Sequence, residues 1–265
     1  LTRHPDINRL CFTGSVPTAG VIAAAAAPNI VPLSFELGGK SPLLVLADAD
    51  MDTAVDIAVE QFDNAGQVCL KGARLLVDAK IAEEFTQRVL DKARTLKQGD
   101  PRDLTSDLSA LITRKHFDTV DGFVQRAKAD GARVLMGGGP NDELGGLFYS
   151  PTILADWPAG SEILTEEVFG PVLTIETFDG DEAGVAMAND TRFGLAATLV
   201  TSDPERAERV SAQLRAGTVW VNCFFVRDLG APFGGSGRSG IGREGGIWSF
   251  DFYCDVKNSV FAPSN

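Results

Sequence analysis

Short apolar runs alternate along the chain with segments of helical spacing. "RLCFTGSVPTAGVIAAAAA" predicts a strand, a tight turn at Gly14 and Ser15, and an alanine-rich helix. "VPLSFELGGKSPLLVLADAD" places a turn between two apolar runs, with "SPLLVLAD" a buried strand. "DMDTAVDIAVEQF" has helical spacing, with Asp50 or Asp52 as its N-cap. "ARLLVDAK" reads as a strand. "IAEEFTQRVLDKARTL" reads as an amphipathic helix with Ile81, Phe85, Val89 and Ala93 on one stripe. "TRKHFDTVDGFVQRAKADGA" is a second such helix, followed by the strand "RVLMGG". Downstream, "GLFYSPTILAD", "GPVLTIETF", "GLAATLVTS" and "TVWVN" predict strands. "DEAGVAMAND" and "DPERAERVSAQLRAG" predict helices, the second opening at Asp203 and Pro204 and stopping at Gly217. This alternation predicts an α/β fold with a mostly parallel sheet flanked by helices. "APFGGSGRSGIGREGG" is a long glycine-rich loop. The tail "FDFYCDVKNSVFA" alternates apolar and polar residues and predicts an added strand of the kind that pairs with another subunit.

Charge narrows the partners. The 265 residues carry 24 basic against 36 acidic side chains, a net charge of −12, with no basic run. Nucleic acid and anionic membranes select the opposite balance, so neither is an expected partner. The four cysteines (Cys11, Cys69, Cys223, Cys254) and two histidines (His4, His116) lack the close spacing of metal ligands, and no metal is expected. Reduced thiols and a cytoplasmic location are expected. "VIAAAAAPNIVPL" is broken by two prolines and too short to span a bilayer. The opening "LTRHPDINRLCFTGS" reads as a cut into a longer polypeptide.

Four features can carry chemistry, and each has a plain alternative. Cys69, in "FDNAGQVCLKGAR", sits near Lys71 and Arg74, whose charges would favour a thiolate; taken alone, a buried structural cysteine is the commoner reading. Glu36 precedes the Gly-Gly turn of "FELGGKSP", as a general base or as a solvated loop residue. "FTGSVPTAG" points helix N-terminal amides and a hydroxyl at an anion, or is an ordinary turn into a helix. "TEEVFGPV" offers Glu167 to a sugar diol and Phe169 as a ring face, or is an acidic loop before a strand.

Taken in order, "FTGS", "ELGGKSP", "NAGQVC", "EEVFGPV", "NDTRFGLAA" and "PFGGSGRSGIGRE" resemble the NAD(P)-dependent aldehyde dehydrogenase superfamily, from Arg9 to Lys257. The resemblance implies Cys69 as the nucleophile and Glu36 as the general base. It implies Gly14, Ser15, Gly39, Glu167 and Phe169 as residues near the cofactor, NAD or NADP. A small-molecule aldehyde would be oxidised through a thiohemiacetal and a thioester on Cys69. It implies residues 1–35 as the end of a dinucleotide-binding domain, 36–240 as the catalytic domain, and 241–265 as a return segment and oligomerisation strand in a homodimer or homotetramer. The family's N-terminal portion is not in this sequence, so a chain beginning at Leu1 is expected to show little NAD-dependent oxidation by itself.

Departures from the family pattern lie at Gly237, where many relatives have lysine, and at Asp63, whose charge would raise the thiol pKa. "NCFFVRDLGAPFGG" resembles the hydroxymuconic-semialdehyde dehydrogenase branch, with Gly230 in place of a second arginine. There Arg227 would pair with a substrate carboxylate or with a carboxylate of the protein, and Phe225 would line an apolar pocket. Two other readings remain open: a cofactor-independent esterase built on Cys69 and Glu36, and an inactive fragment that only assembles.

Overall fold

The computed structural model describes residues 1–158 and 160–263. The chain begins with β1 (Leu10–Gly14), α1 (Val16–Ala26) and β2 (Leu33–Leu37). It continues through β3 (Pro42–Val45), α2 (Met51–Glu60), β4 (Arg74–Asp78), α3 (Ala82–Ala93), α4 (Arg114–Ala129) and β5 (Arg133–Met136). Then come β6 (Thr152–Ala155), α5 (Glu162–Thr165), β7 (Val172–Phe178), α6 (Asp181–Asn189), β8 (Ala196–Val200) and α7 (Pro204–Ser211). It ends with β9 (Thr218–Val221), β10 (Gly240–Ile241) and α8 (Trp248–Tyr253). Asp50, Thr113 and Asp203 cap α2, α4 and α7 by accepting backbone N–H bonds.

Seven strands form one sheet in the order β5-β6-β7-β4-β3-β8-β9. All neighbours are parallel except β5 and β6. The apolar runs are continuous because both faces are covered. Leu43, Val45, Leu75 and Val77 pack with residues of α2 and α3. Their alternates Leu44, Leu46 and Leu76 pack with Val185, Ala188 and Val210 of α6 and α7. A second, three-stranded sheet has the order β1-β2-β10. β2 is central there, parallel to β1 and antiparallel to β10. The chain passes from this sheet to the larger one through Gly38–Ser41, just beyond the domain boundary expected after residue 35.

The tail departs from the sequence expectation. Residues 248–253 form α8 rather than a strand, and no strand is assigned among the described residues after it. Among the described residues the tail pairs with no strand of either sheet. Arg9, just before β1, holds it by donating to Asp255 at 2.5 Å. Among the described residues, no helix is long and apolar enough to cross a membrane.

This packing predicts a sharp contrast on α3. Phe85 is wholly buried, whereas Arg88 pairs with Asp52 and Glu84 at the surface. Urea denaturation should show Phe85→Ala costing about 3–5 kcal/mol, and Arg88→Ala costing less than about 1 kcal/mol.

Candidate active site

Parallel register brings the candidate residues together. β7, β4 and β3 are consecutive neighbours, so their amino-terminal ends lie side by side. Three loops feed those ends: 38–41 into β3, 63–73 into β4 and 166–171 into β7. They carry Gly39, Cys69, and Glu167 with Phe169.

The loops touch through their backbones. The Gly39 N–H donates to Glu167 Oε1 at 3.1 Å. A Cβ on Gly39 would lie 2.8 Å from the Cys69 carbonyl oxygen, and one on Gly38 would lie 1.8 Å from Glu167 Oε2. The Gly-Gly pair is therefore required by close approach. Cys69 follows a left-handed turn in which Asn64, Ala65 and Gly66 have φ of 49°, 54° and 67°. Alanine rarely adopts such a conformation, which costs about 1–2 kcal/mol. Asn64 and Gln67 brace the turn by donating to one another's carbonyls, both at 3.1 Å.

The thiol is half-buried among Leu70, Leu195, Trp220 and Phe224. Burial raises its pKa above the ordinary cysteine value, and Glu167 and Glu36 raise it further, while the backbone N–H groups of Cys69 and Leu70 oppose the rise. Three expectations change here. Lys71 points away from the thiol, donating to the carbonyls of Gly170 and Val172. Arg74 points away too, donating to Glu176 and the Met187 carbonyl. Asp63 accepts from the Asn64 N–H, and the carboxylates that raise the thiol are Glu167 and Glu36.

Glu36 lies in the middle of the three-stranded sheet, paired with Thr13 on β1 and Gly240 on β10. Both its carboxylate oxygens are buried and accept no hydrogen bond from the described residues. Buried polar atoms are almost always paired, so Glu36 is an exception in this chain's interior. Burial and the nearby Glu244 raise its pKa to about 7, with Arg243 and Arg227 opposing. Sequence reasoning missed Glu244 because its proximity arises from β10 returning to β2. Cys11 donates to the same Glu244 at 3.1 Å.

Gly14 is paired with Leu37, so the turn at Gly14 and Ser15 lies beside the Gly38 turn. Ser15 is the N-cap of α1, accepting from the Thr18 N–H. The cap and the ligand-facing reading are compatible, since an N-cap leaves further N–H groups of the first turn free. Glu167 is itself raised by burial, against the Gly39 N–H and the charges of Lys71 and Lys40. Phe169 has φ of 54°, and its carbonyl accepts from His116 Nε2 at 2.6 Å. His116 was invisible as a site neighbour in the sequence, being far from "EEVFGPV".

Arg227 and Phe225 lie on the loop after β9. The Arg227 guanidinium sits 4.9 Å from the Phe233 ring centre and 5.8 Å from that of Phe225. Among the described residues no carboxylate forms an ion pair with it; Asp228 instead accepts from the Gly230 N–H. Arg227, Trp220, Phe233 and Glu244 line a cavity of about 240 Å³. Phe225 is 47% exposed and stacked on Phe224. All four cysteines are free, and no group of three or more His, Cys, Asp or Glu among the described residues is placed to hold a metal ion.

The profile of the Aldehyde dehydrogenase family matches residues 1–259. The chain is 45% identical to 2-hydroxymuconic semialdehyde dehydrogenase of Pseudomonas sp. strain CF600, over 97% of this chain and 54% of that protein. It is 42% identical to 2-aminomuconic semialdehyde dehydrogenase of Danio rerio, with the same coverage. The crystal structure of HpcC from Thermus thermophilus superposes with a TM-score of 0.93 at 39% identity, covering 100% of this chain and 54% of the other. A betaine aldehyde dehydrogenase from Staphylococcus aureus, solved with NAD+ and a cysteine modified by BME, gives a TM-score of 0.92 at 36% identity, covering 95% and 52%. The chain thus spans about half the length of these relatives.

The charge arrangement makes a prediction independent of turnover. A raised thiol pKa means that alkylation of Cys69 accelerates with pH beyond the ordinary cysteine range. Glu167→Gln removes one carboxylate that raises it. Iodoacetamide labelling with peptide mapping should then show Cys69 reacting several-fold faster at neutral pH, with its pH profile moved downward.

Proposed function

Because the chain belongs to the aldehyde dehydrogenase family, we propose that the protein containing it oxidises an aldehyde to a carboxylic acid with NAD(P)+, through a covalent adduct on Cys69. The carrying observation is the unpartnered, buried Glu36 carboxylate acting electrostatically on a half-buried thiol. Cofactor-side residues fit the assignment. Glu167 keeps one oxygen unbonded within the described residues, and the absent side chains of Gly38 and Gly39 leave backbone open beside it. Glu167 would hold a ribose diol, Phe169 and Gly39 the nicotinamide side, and the α1 amino terminus with Gly14 and Ser15 the pyrophosphate. When bound, NAD(P)+ supplies the hydride acceptor.

The chain's own groups supply the rest. Cys69 gives its proton to solvent and its sulfur bonds to the aldehyde carbon, moving the carbonyl electron pair onto oxygen. The Cys69 N–H, which lowers the thiol pKa, would donate to that oxyanion. Loss of hydride converts the adduct to a thioester. Glu36 then takes a proton from water, the water oxygen bonds to the acyl carbon, and the C–S bond breaks to release the acid and restore Cys69. A base raised to about 7 stays partly protonated at neutrality, which lets it return the proton.

The substrate reading follows from Arg227. A guanidinium held on an aromatic face, without a carboxylate partner among the described residues and beside a 240 Å³ cavity, suits an unsaturated semialdehyde bearing a carboxylate. Two relatives named above are semialdehyde dehydrogenases. Phe225 adds an apolar wall. The exposed Phe250, Tyr253, Val256 and Phe261 of the tail support assembly into a homodimer or homotetramer.

Assays on the intact natural protein test these roles. Cys69→Ser should abolish turnover. Glu36→Gln should lower kcat by about 10²–10⁴-fold while a single burst of NADH, stoichiometric with enzyme, survives. Full turnover of Glu36→Gln removes Glu36 as base, and equal ester turnover without NAD favours an esterase. Where deacylation limits, kcat should rise with pH to a plateau above about 7, because only unprotonated Glu36 accepts the proton. Arg227→Met should raise KM for a carboxylate-bearing semialdehyde by about tenfold, the loss of about 1.4 kcal/mol, with little effect on propanal.

A further inference from the structure

Lys71 is buried two residues past Cys69, an unusual place for a lysine. Its Nζ donates to the Gly170 carbonyl at 2.5 Å and the Val172 carbonyl at 3.0 Å. Those carbonyls close the segment bearing Glu167 and Phe169. The same segment lies against Gly66, where a Cβ would come within 2.0 Å of the Gly170 oxygen. On its other side the Phe169 carbonyl accepts from His116 of α4. Phe169 has a positive φ, which the surrounding contacts must hold in place.

We propose that Lys71 is a positioning residue whose buried ammonium ties the Glu167–Phe169 segment to the loop bearing Cys69. The inference rests on Glu167 and Phe169 facing the cofactor. Backbone carbonyls accept more strongly from an ammonium than from a neutral amine, since charge-assisted bonds are roughly twice as strong. Burial and the neighbouring Lys40 lower the Lys71 pKa to about 7, while Glu167 opposes the fall. Arg74 and Glu176 act in turn on Lys40. His116 touches Phe169, and Glu166 beside Glu167 pairs with Arg192. The charged tie is therefore present below about pH 7 and weakens above it, which loosens the cofactor side of the site within the physiological range.

Hydrogen exchange of residues 166–172 in the intact natural protein reads the tie directly, with α3 amides as internal control. After correction for intrinsic exchange, wild-type protection should fall severalfold as pH rises from 6 to 8. Lys71→Met and Lys71→Gln should show low protection at every pH with no step, while α3 is unchanged. His116→Gln should keep the step, which assigns it to Lys71. KM for NAD+ should rise about five- to tenfold in Lys71→Met, with Cys69 alkylation changed less. Wild-type protection in both Lys71 variants, or a pH step that persists in them, overturns the proposal. If the segment follows Lys71 but wild type shows no NAD-dependent oxidation, the tie stands and the cofactor reading falls.

Discussion

The Gly39 N–H donating to Glu167, with the Cys69 carbonyl pressed against the same residue, sets the spacing of everything around the thiol. Three loops enter adjacent parallel strands from one end of the sheet. Side chains at Gly38, Gly39 or Gly66 would drive them apart. With those side chains absent, a carboxylate, a sulfur and a backbone turn share one small volume. The strained conformations of Asn64 and Ala65 on one loop, and Phe169 on another, are held by that mutual contact. The site lies at the amino ends of its strands, whereas ligands of open α/β sheets usually sit beyond the carboxyl ends.

Electrostatics at this junction work against ionisation. Cys69, Glu36 and Glu167 are all raised, and Lys40 and Lys71 are both brought down to about 7. Burial disfavours the charged form of all five groups. Such a cluster changes its protonation easily when a ligand arrives, which suits a site that must both generate a nucleophile and move a proton.

Much of this was legible from the chain. The helix stripe of Ile81, Phe85, Val89 and Ala93 follows from local spacing, and so do the caps at Asp50 and Asp203. The motifs identified Cys69, Glu36, Glu167 and Arg227 as the residues to examine. The directions of side chains were not legible. Lys71 and Arg74 are near Cys69 in sequence, yet the pleat and the neighbouring β7 draw both away. Glu244 and His116 act on site residues from remote segments, and no local pattern encodes that. The tail's alternation did not reveal α8, because period two records a face to be buried and not the partner that buries it.

β2 joins the beginning of the chain to its end. Its parallel partner β1 is local, but its antiparallel partner β10 follows the strands of the seven-stranded sheet in sequence. Gly240 beside Glu36, and Gly234 against its carboxylate, are therefore contacts of very high sequence separation. Ser239, next to Gly240, adds a further tie by donating to the Gly38 carbonyl at 2.7 Å. The surroundings that raise Glu36 to about 7 are thus assembled from segments some two hundred residues apart, so a change near β10 reaches the carboxylate as directly as one beside it in sequence.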